Sequence, residues 1–138
     1  MELIVFLTEQ WMLVSLFLVL AYTYMWREKS KAGATLSVHQ LTAVVNQGNA
    51  QLVDLRDSAE FQAGHIVDAI NIPHNKLEKQ LSELERHRAK TLVLVDKLGQ
   101  HTGAAGRLLR DKEFNVVRLN GGMAEWTGQN LPVVKGKG

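Results

Sequence analysis

Thr91-Leu92-Val93-Leu94-Val95-Asp96-Lys97-Leu98-Gly99-Gln100-His101-Thr102 is the stretch on which the fold turns. Leu92 to Val95 is an unbroken apolar run, as expected for a strand covered on both faces. Asp96 closes it, a loop containing Gly99 follows, and a helix is predicted from about Thr102 to Lys112. A buried strand feeding a loop and a helix is the building unit of α/β domains.

Working outward, the same alternation recurs. Gln51-Leu52-Val53-Asp54-Leu55, Ala69-Ile70-Asn71-Ile72 and Val116-Val117-Arg118-Leu119 read as short strands, the second ended by Pro73. Ser37 and Gln40 form a capping-box pattern before Val38, Leu41, Val44 and Val45, which recur at helical spacing up to Gly48. Asp57 with Glu60 predicts a capped, very short helix stopping at Gly64. Asn75 with Glu78 predicts a helix from Lys76 to about His87, with Leu77, Leu81 and Leu84 on one face. Gly121-Gly122 turns the chain into a short helix containing Trp126. Short loops between alternating strands and helices indicate an α/β fold with a mainly parallel central sheet flanked by helices.

The first 26 residues are different. Gln10 to Trp26 carries no charge; as a helix it would span about 25 Å, against a hydrocarbon thickness of about 30 Å. The apolar stretch Leu3–Leu7 can add about a turn on the far side if Glu9 lies near the interface. Trp11 at one end and Tyr22, Tyr24 and Trp26 at the other read as interfacial residues. Arg27, Lys29 and Lys31 follow, and no Lys or Arg precedes. The expectation is a single transmembrane helix over 1–26, with the N-terminus outside and the remainder in the cytoplasm. A cleaved signal peptide would want a basic start and a small-residue cleavage site, which the sequence lacks. Residues 27–34 read as a linker, 35–134 as the folded domain and 135–138 as a tail.

Composition narrows the function classes. There is no cysteine among the 138 residues, which excludes a disulfide framework and any thiolate chemistry or thiolate metal site. The five histidines (39, 65, 74, 87 and 101) show no metal-ligand spacing, so neither a metal nor another cofactor is expected. All 16 Lys and Arg residues lie from Arg27 onward, against 12 of the 14 acidic ones, leaving that part at +4. Such a charge suits a domain near the lipid bilayer and gives no argument for nucleic acid.

Several motifs together resemble the rhodanese family. Leu52-Val53-Asp54-Leu55-Arg56 is similar to its apolar strand ending in Asp-x-Arg. Glu60-Phe61 with Gly64-His65-Ile66 and Ala69-Ile70-Asn71-Ile72-Pro73 is similar to its second hallmark. Asn120-Gly121-Gly122, Trp126 and Leu131-Pro132-Val133 are similar to its closing signature. The likeness covers roughly 35 to 134, and with the segment in front the chain resembles membrane-tethered bacterial members, which implies the bacterial inner membrane. The family's loop is Cys-x-x-Gly-x-Arg. Here Asp96 falls at the nucleophile, Gly99 at the glycine and His101 at the arginine.

The resemblance implies a loop from Asp96 through Lys97, Leu98, Gly99, Gln100, His101 and Thr102 to Gly103, with no catalytic nucleophile. Either the Asp96 carboxylate fills the anion cradle, or it is a solvated or helix-capping acid. The resemblance brings His74 near the loop's mouth, within possible reach of His101; the alternative is a surface imidazole. It makes Asp54, Arg56 and His65 mainly architectural, among motif residues that include Gly64, Asn71 and Pro73. Trp126 is expected in the core or over the loop, and Gly121 and Gly122 in the turn. The functional expectation is a catalytically inactive module binding a membrane-associated protein. The rivals are a sulfurtransferase-family or phosphatase-like enzyme and a small-anion sensor. An acyl-phosphate route through Asp96 lacks an accompanying acid cluster for Mg²⁺.

Overall fold

The computed structural model describes residues 2–30 and 33–137. Met1, Lys31, Ala32 and Gly138 lie outside the described residues, and with them part of the basic cluster, of the expected linker and of the tail. The chain divides into one unit up to Ser30 and another from Lys31 onward.

The first unit corrects the expectation of one straight span. It consists of α1 (Glu2–Glu9) and α2 (Trp11–Ser30), bent by 77° at Gln10. Among the described residues no single helix is long and apolar enough to cross a membrane; the bent pair satisfies length and composition only when taken together. The uncharged run is itself short of the hydrocarbon thickness, and the bend prevents Leu3–Leu7 from extending its axis. The linker expected over 27–34 is also shorter. Helix α2 continues through Arg27, Glu28 and Lys29, which include good helix formers, and a strand already begins at Ala34.

The second unit is built on five strands, β1 (Ala34–Leu36), β2 (Ala50–Asp54), β3 (Ile70–Asn71), β4 (Thr91–Val95) and β5 (Val116–Leu119). They pair in the order β1-β5-β4-β2-β3, every pairing parallel. Strand β4 lies at the centre, which explains why its residues are apolar on both faces. Its side chains alternate. Val93 and Val95 join Leu52, Leu119, Phe61, Trp126 and the α3 (Val38–Asn46) residues Val38 and Leu41 in one core layer. Leu92 and Leu94 join Val53, Leu55, Val116, Leu84 and the α6 (Thr102–Asp111) residues Ala105 and Leu109 in the other.

A local signal decides the start of α3. The Ser37 hydroxyl accepts from Gln40 N at 3.2 Å, and the Gln40 amide oxygen accepts from Ser37 N at 2.9 Å, completing the capping box of α3. Asp57 occupies the N-cap of α4 (Ser58–Ala63) but makes no side-chain cap bond. The helix predicted from Lys76 to His87 is mostly replaced by turns. A 3₁₀ turn spans His74–Lys76 with Asn75 inside it, and only α5 (Leu81–Glu85) is α-helical. Three-residue hydrogen bonds, such as Lys79 N to Lys76 O at 3.1 Å, tighten the segment. Leu77 and Leu84 are still fully buried. The tail expected over 135–138 remains attached as far as Gly136, whose N–H donates to Gln62 O at 2.9 Å.

Candidate functional site

Two adjacent strands bring two carboxylates to the same end of the sheet. Asp54 closes β2 and pairs in register with Val95, so Asp96 follows just beyond the end of β4. The C-terminal ends of parallel strands are where α/β folds place their sites. Both aspartates are buried, Asp54 at 1% and Asp96 at 2% exposure.

The two are satisfied differently. Arg56 grips Asp54 with a fork, Nε to Oδ1 at 3.0 Å and Nη2 to Oδ2 at 2.8 Å. Arg56 Nη2 also donates to Gly64 O at 2.7 Å, and Asn71 Nδ2 donates to the carbonyls of Asp54 and Arg56. These bonds knit the end of β2 to the loops on either side. His65 is fully buried, stacked on Phe61 at 3.8 Å between ring centroids. Its Nδ1 lies 2.8 Å from Phe61 O; a carbonyl can only accept, so Nδ1 carries a proton, and Nε2 has no hydrogen-bond partner among the described residues. The His65 backbone pairs with Val134, fastening the C-terminal segment. Pro73 follows the end of β3 and begins the 3₁₀ turn that carries His74.

Asp96 has peptide N–H groups as partners. Its Oδ1 accepts from Lys97 N and its Oδ2 from His101 N, both at 2.8 Å. His101 is the N-cap of α6 and offers no side-chain cap of its own, so the carboxylate serves the start of that helix, where the dipole favours a negative charge. The rest of the loop is also bonded within itself. Leu98 N donates to Gln100 Oε1 and the Thr102 hydroxyl donates to Gly99 O, each at 2.9 Å. Gly99 has φ +91, a conformation side-chain-bearing residues avoid. Leu98 projects into solvent, and Gly103 lies in the first turn of α6.

The loop rests on the first turn of α7 (Gly122–Gly128). Met123 N donates to Asp96 O at 2.7 Å and Ala124 N to Lys97 O at 2.9 Å. Gly121 and Gly122 both have positive φ, +77 and +60, and a Cβ on Gly122 would collide with the backbone carbonyls of Asp96 and Lys97. Gly122 is thus required by close approach as well as by dihedral, beyond the turn role expected for it. Trp126 lies in the core, its indole N–H donating to Pro132 O at 2.9 Å.

His74 and His101 meet although 27 positions separate them. Their rings stack at 3.7 Å between centroids and 5° between planes. They flank a polar cleft of about 140 Å³ that also exposes Arg56, Asp57, Glu60, Lys97 and Gln100, with Asp96 at its lining. The sequence marks Asp57 and Glu60 as helix-start residues, and their position directly after the strand-end motif is what brings them to the cleft. Among the described residues no group of three or more His, Asp or Glu side chains is placed to hold a metal ion.

The model of the rhodanese-like domain family matches residues 37–129 of this chain. The chain belongs to that family. It is related to the sulfurtransferases, and its rhodanese-like domain resembles proteins of several contexts. It is 35% identical over 100 residues to YibN of Escherichia coli (strain K12), covering 71% of this chain and 70% of that one. It is 27% identical to the tRNA uridine(34) hydroxylase of Citrobacter koseri, covering 77% of this chain but 33% of the enzyme. A crystal structure of a rhodanese-related protein from Thermoplasma volcanium superposes with a TM-score of 0.67 at 27% identity, over 74% of this chain and 98% of the other.

Proposed function

We propose that this chain is a membrane-tethered, catalytically inactive rhodanese-like domain that binds a membrane-associated protein at the cytoplasmic face of a bacterial inner membrane. The observation that carries the reading is the Asp96 carboxylate, which accepts from Lys97 N and His101 N where the rhodanese-type site needs a sulfur nucleophile. Carboxylate oxygens cannot carry a persulfide, and no other residue in the chain supplies a thiol. The same two hydrogen bonds weigh against a small-anion sensor, because donors already bonded to Asp96 are not offered to a ligand.

Tethering is supported by α2, which is apolar all round; Phe17 is 71% exposed and Leu16, Leu18 and Leu20 are all exposed. A helix of that kind needs an apolar surrounding. The bent pair α1–α2 is the segment that would supply the anchor, and Arg27, Lys29 and Lys31 orient it with the folded domain inside.

The deciding experiment uses the full chain. Purified protein should show no thiosulfate:cyanide sulfurtransferase activity above a denatured control and carry no persulfide. Crosslinking in intact membranes should capture one stoichiometric membrane protein. Activity that co-purifies with the chain and disappears in Asp96→Ala would overturn the proposal. A C-terminal alkaline phosphatase fusion active in the periplasm would overturn the orientation.

A further inference from the structure

The bend between α1 and α2 interrupts the backbone ladder at Gln10. Gln10 N donates to Phe6 O at 3.0 Å and Val14 N to Gln10 O at 3.1 Å, so one helix ends and the next begins on the same residue. A helix start leaves its first N–H groups without intrahelical acceptors, here those of Trp11, Met12 and Leu13. A helix end leaves its last carbonyls without donors, here those of Leu7, Thr8 and Glu9. Among the described residues neither set finds another backbone partner. Hydrocarbon cannot satisfy such groups, whereas water and lipid headgroups can. In a membrane the bend therefore belongs in the interfacial layer, beside Trp11, a residue type enriched there.

The same bend sets the direction of α1. Its axis departs from that of α2 by 77°, so with α2 inserted across the bilayer α1 runs close to the membrane plane. Leu3, Ile4, Val5, Phe6 and Leu7 are consecutive and surround α1 with exposed apolar side chains, which water solvates poorly. Glu2 and Glu9 stand at its two ends, and carboxylates are costly in the hydrocarbon core. Only the interface accepts both. On the membrane-tethered reading, on which this inference rests, we propose that α1 binds phospholipid flat in the interfacial layer at the Trp11 end of α2. Neither helix suffices as an anchor alone. The uncharged part of α2 reaches about 25 Å against a hydrocarbon thickness of about 30 Å, a shortfall that draws its ends into the core or thins the bilayer. The flat α1 holds the Trp11 end at the surface. No Lys or Arg lies between Glu2 and Trp26, so the attachment comes from apolar burial and not from anionic headgroups.

The absence of cysteine makes single-site labels straightforward. Leu3→Cys, Leu7→Cys, Gln10→Cys and Leu18→Cys are spin-labelled one at a time in the full chain, reconstituted in phosphatidylcholine vesicles. Depth is read from relaxation by oxygen, which partitions into hydrocarbon, against relaxation by a water-soluble nickel chelate. Labels at positions 3, 7 and 10 should share one shallow depth, and the label at 18 should be deep. Admixed phosphatidylglycerol or high salt should leave all four depths unchanged. Ile4→Ser with Phe6→Ser should raise nickel accessibility at position 3 several-fold while position 18 stays deep. A depth changing by about 1.5 Å per residue from 10 to 3 would mean that α1 continues the axis of α2. A label at 3 as deep as that at 18 would put α1 in the core, and full nickel accessibility at 3 in the unsubstituted α1 would put it in water. Any of these, a salt-sensitive depth, or an unmoved label in the double-serine variant would overturn the interfacial α1 and leave the tether standing, provided that position 18 stays deep. A chain that does not float with the vesicles would overturn both.

Discussion

Asp54 closes β2 and Asp96 follows the end of the paired β4; both are buried, and they solve the same problem by different means. Asp54 meets a formal positive charge, the Arg56 fork, whose remaining donor reaches Gly64 O. Asp96 meets neutral peptide N–H groups at the start of α6. The difference teaches what each strand end is for. An ion pair tied to the Gly64 carbonyl is a structural lock, and removing one partner strands the other charge. A carboxylate cradled by backbone satisfies the N–H groups of its own loop, and its loss leaves only neutral donors short of an acceptor.

The largest expected effect tests the lock. Asp54→Asn preserves shape but leaves Arg56 without its counter-charge in a buried setting. It should destabilise the domain by about 3–5 kcal/mol, read as a shift in the denaturation midpoint. A cost near that of Asp96→Asn would erase the contrast between the two ends.

Gly122→Ala attacks the platform under the Asp96 loop without touching either carboxylate. Positive φ and the close approach of the Asp96 and Lys97 carbonyls together should cost about 3 kcal/mol. If the variant melts with the wild type, the turn yields easily and the loop geometry is not held from below.

Asp96→Asn comes next. One amide oxygen replaces two acceptors, and the new NH₂ faces a donor, so about 1–3 kcal/mol should be lost. Emptying the charge should also let sulfate stabilise the variant more than the wild type. Melting curves at matched ionic strength, with and without sulfate, measure both. Equal stability and equal sulfate response would show that the cradle does not hold the carboxylate.

The smallest effect sharpens any acid titration used to compare the two aspartates. Desolvation, then the charges of Lys90 and Arg86, lower the pKa of His87. The unfolded chain therefore binds more protons between the folded value and about 6.5, and stability rises with pH across that window. This contribution is present above about 6.5 and lost as pH falls through the folded value. His87→Gln should flatten stability against pH there, by a small amount because the ring is only half-buried. An unchanged profile would exclude His87 as a contributor.

Much of the rhodanese-like fold was legible because its signals are local. The Ser37–Gln40 box and the stop at Gly64 lie within one turn of what they control. The apolar run Leu92–Val95 announced a strand covered on both faces. Strand β1 escaped notice because three residues, only Leu36 of them partly buried, carry no periodic pattern. The helix expected over 76–87 failed for the opposite reason. Leu77, Leu81 and Leu84 fit helical spacing, yet tight turns serve the same buried face. The bend at Gln10 had no glycine or proline to mark it. At the site, the departure at Asp96 was readable, whereas the partners of its oxygens and the roles of Asp57 and Glu60 at the cleft were not.

The sequence by itself determined the alternation of strands and helices, the position of the loop and the absence of any sulfur nucleophile, since these depend on residue type and near neighbours. Only the tertiary structure decided the order β1-β5-β4-β2-β3, the stacking of His74 on His101, the approach of Gly122 to the loop and the gathering of Arg118 and Arg110 about Gly33. Each of these joins groups tens of residues apart, and sheet register, which no local pattern encodes, sets which of them meet.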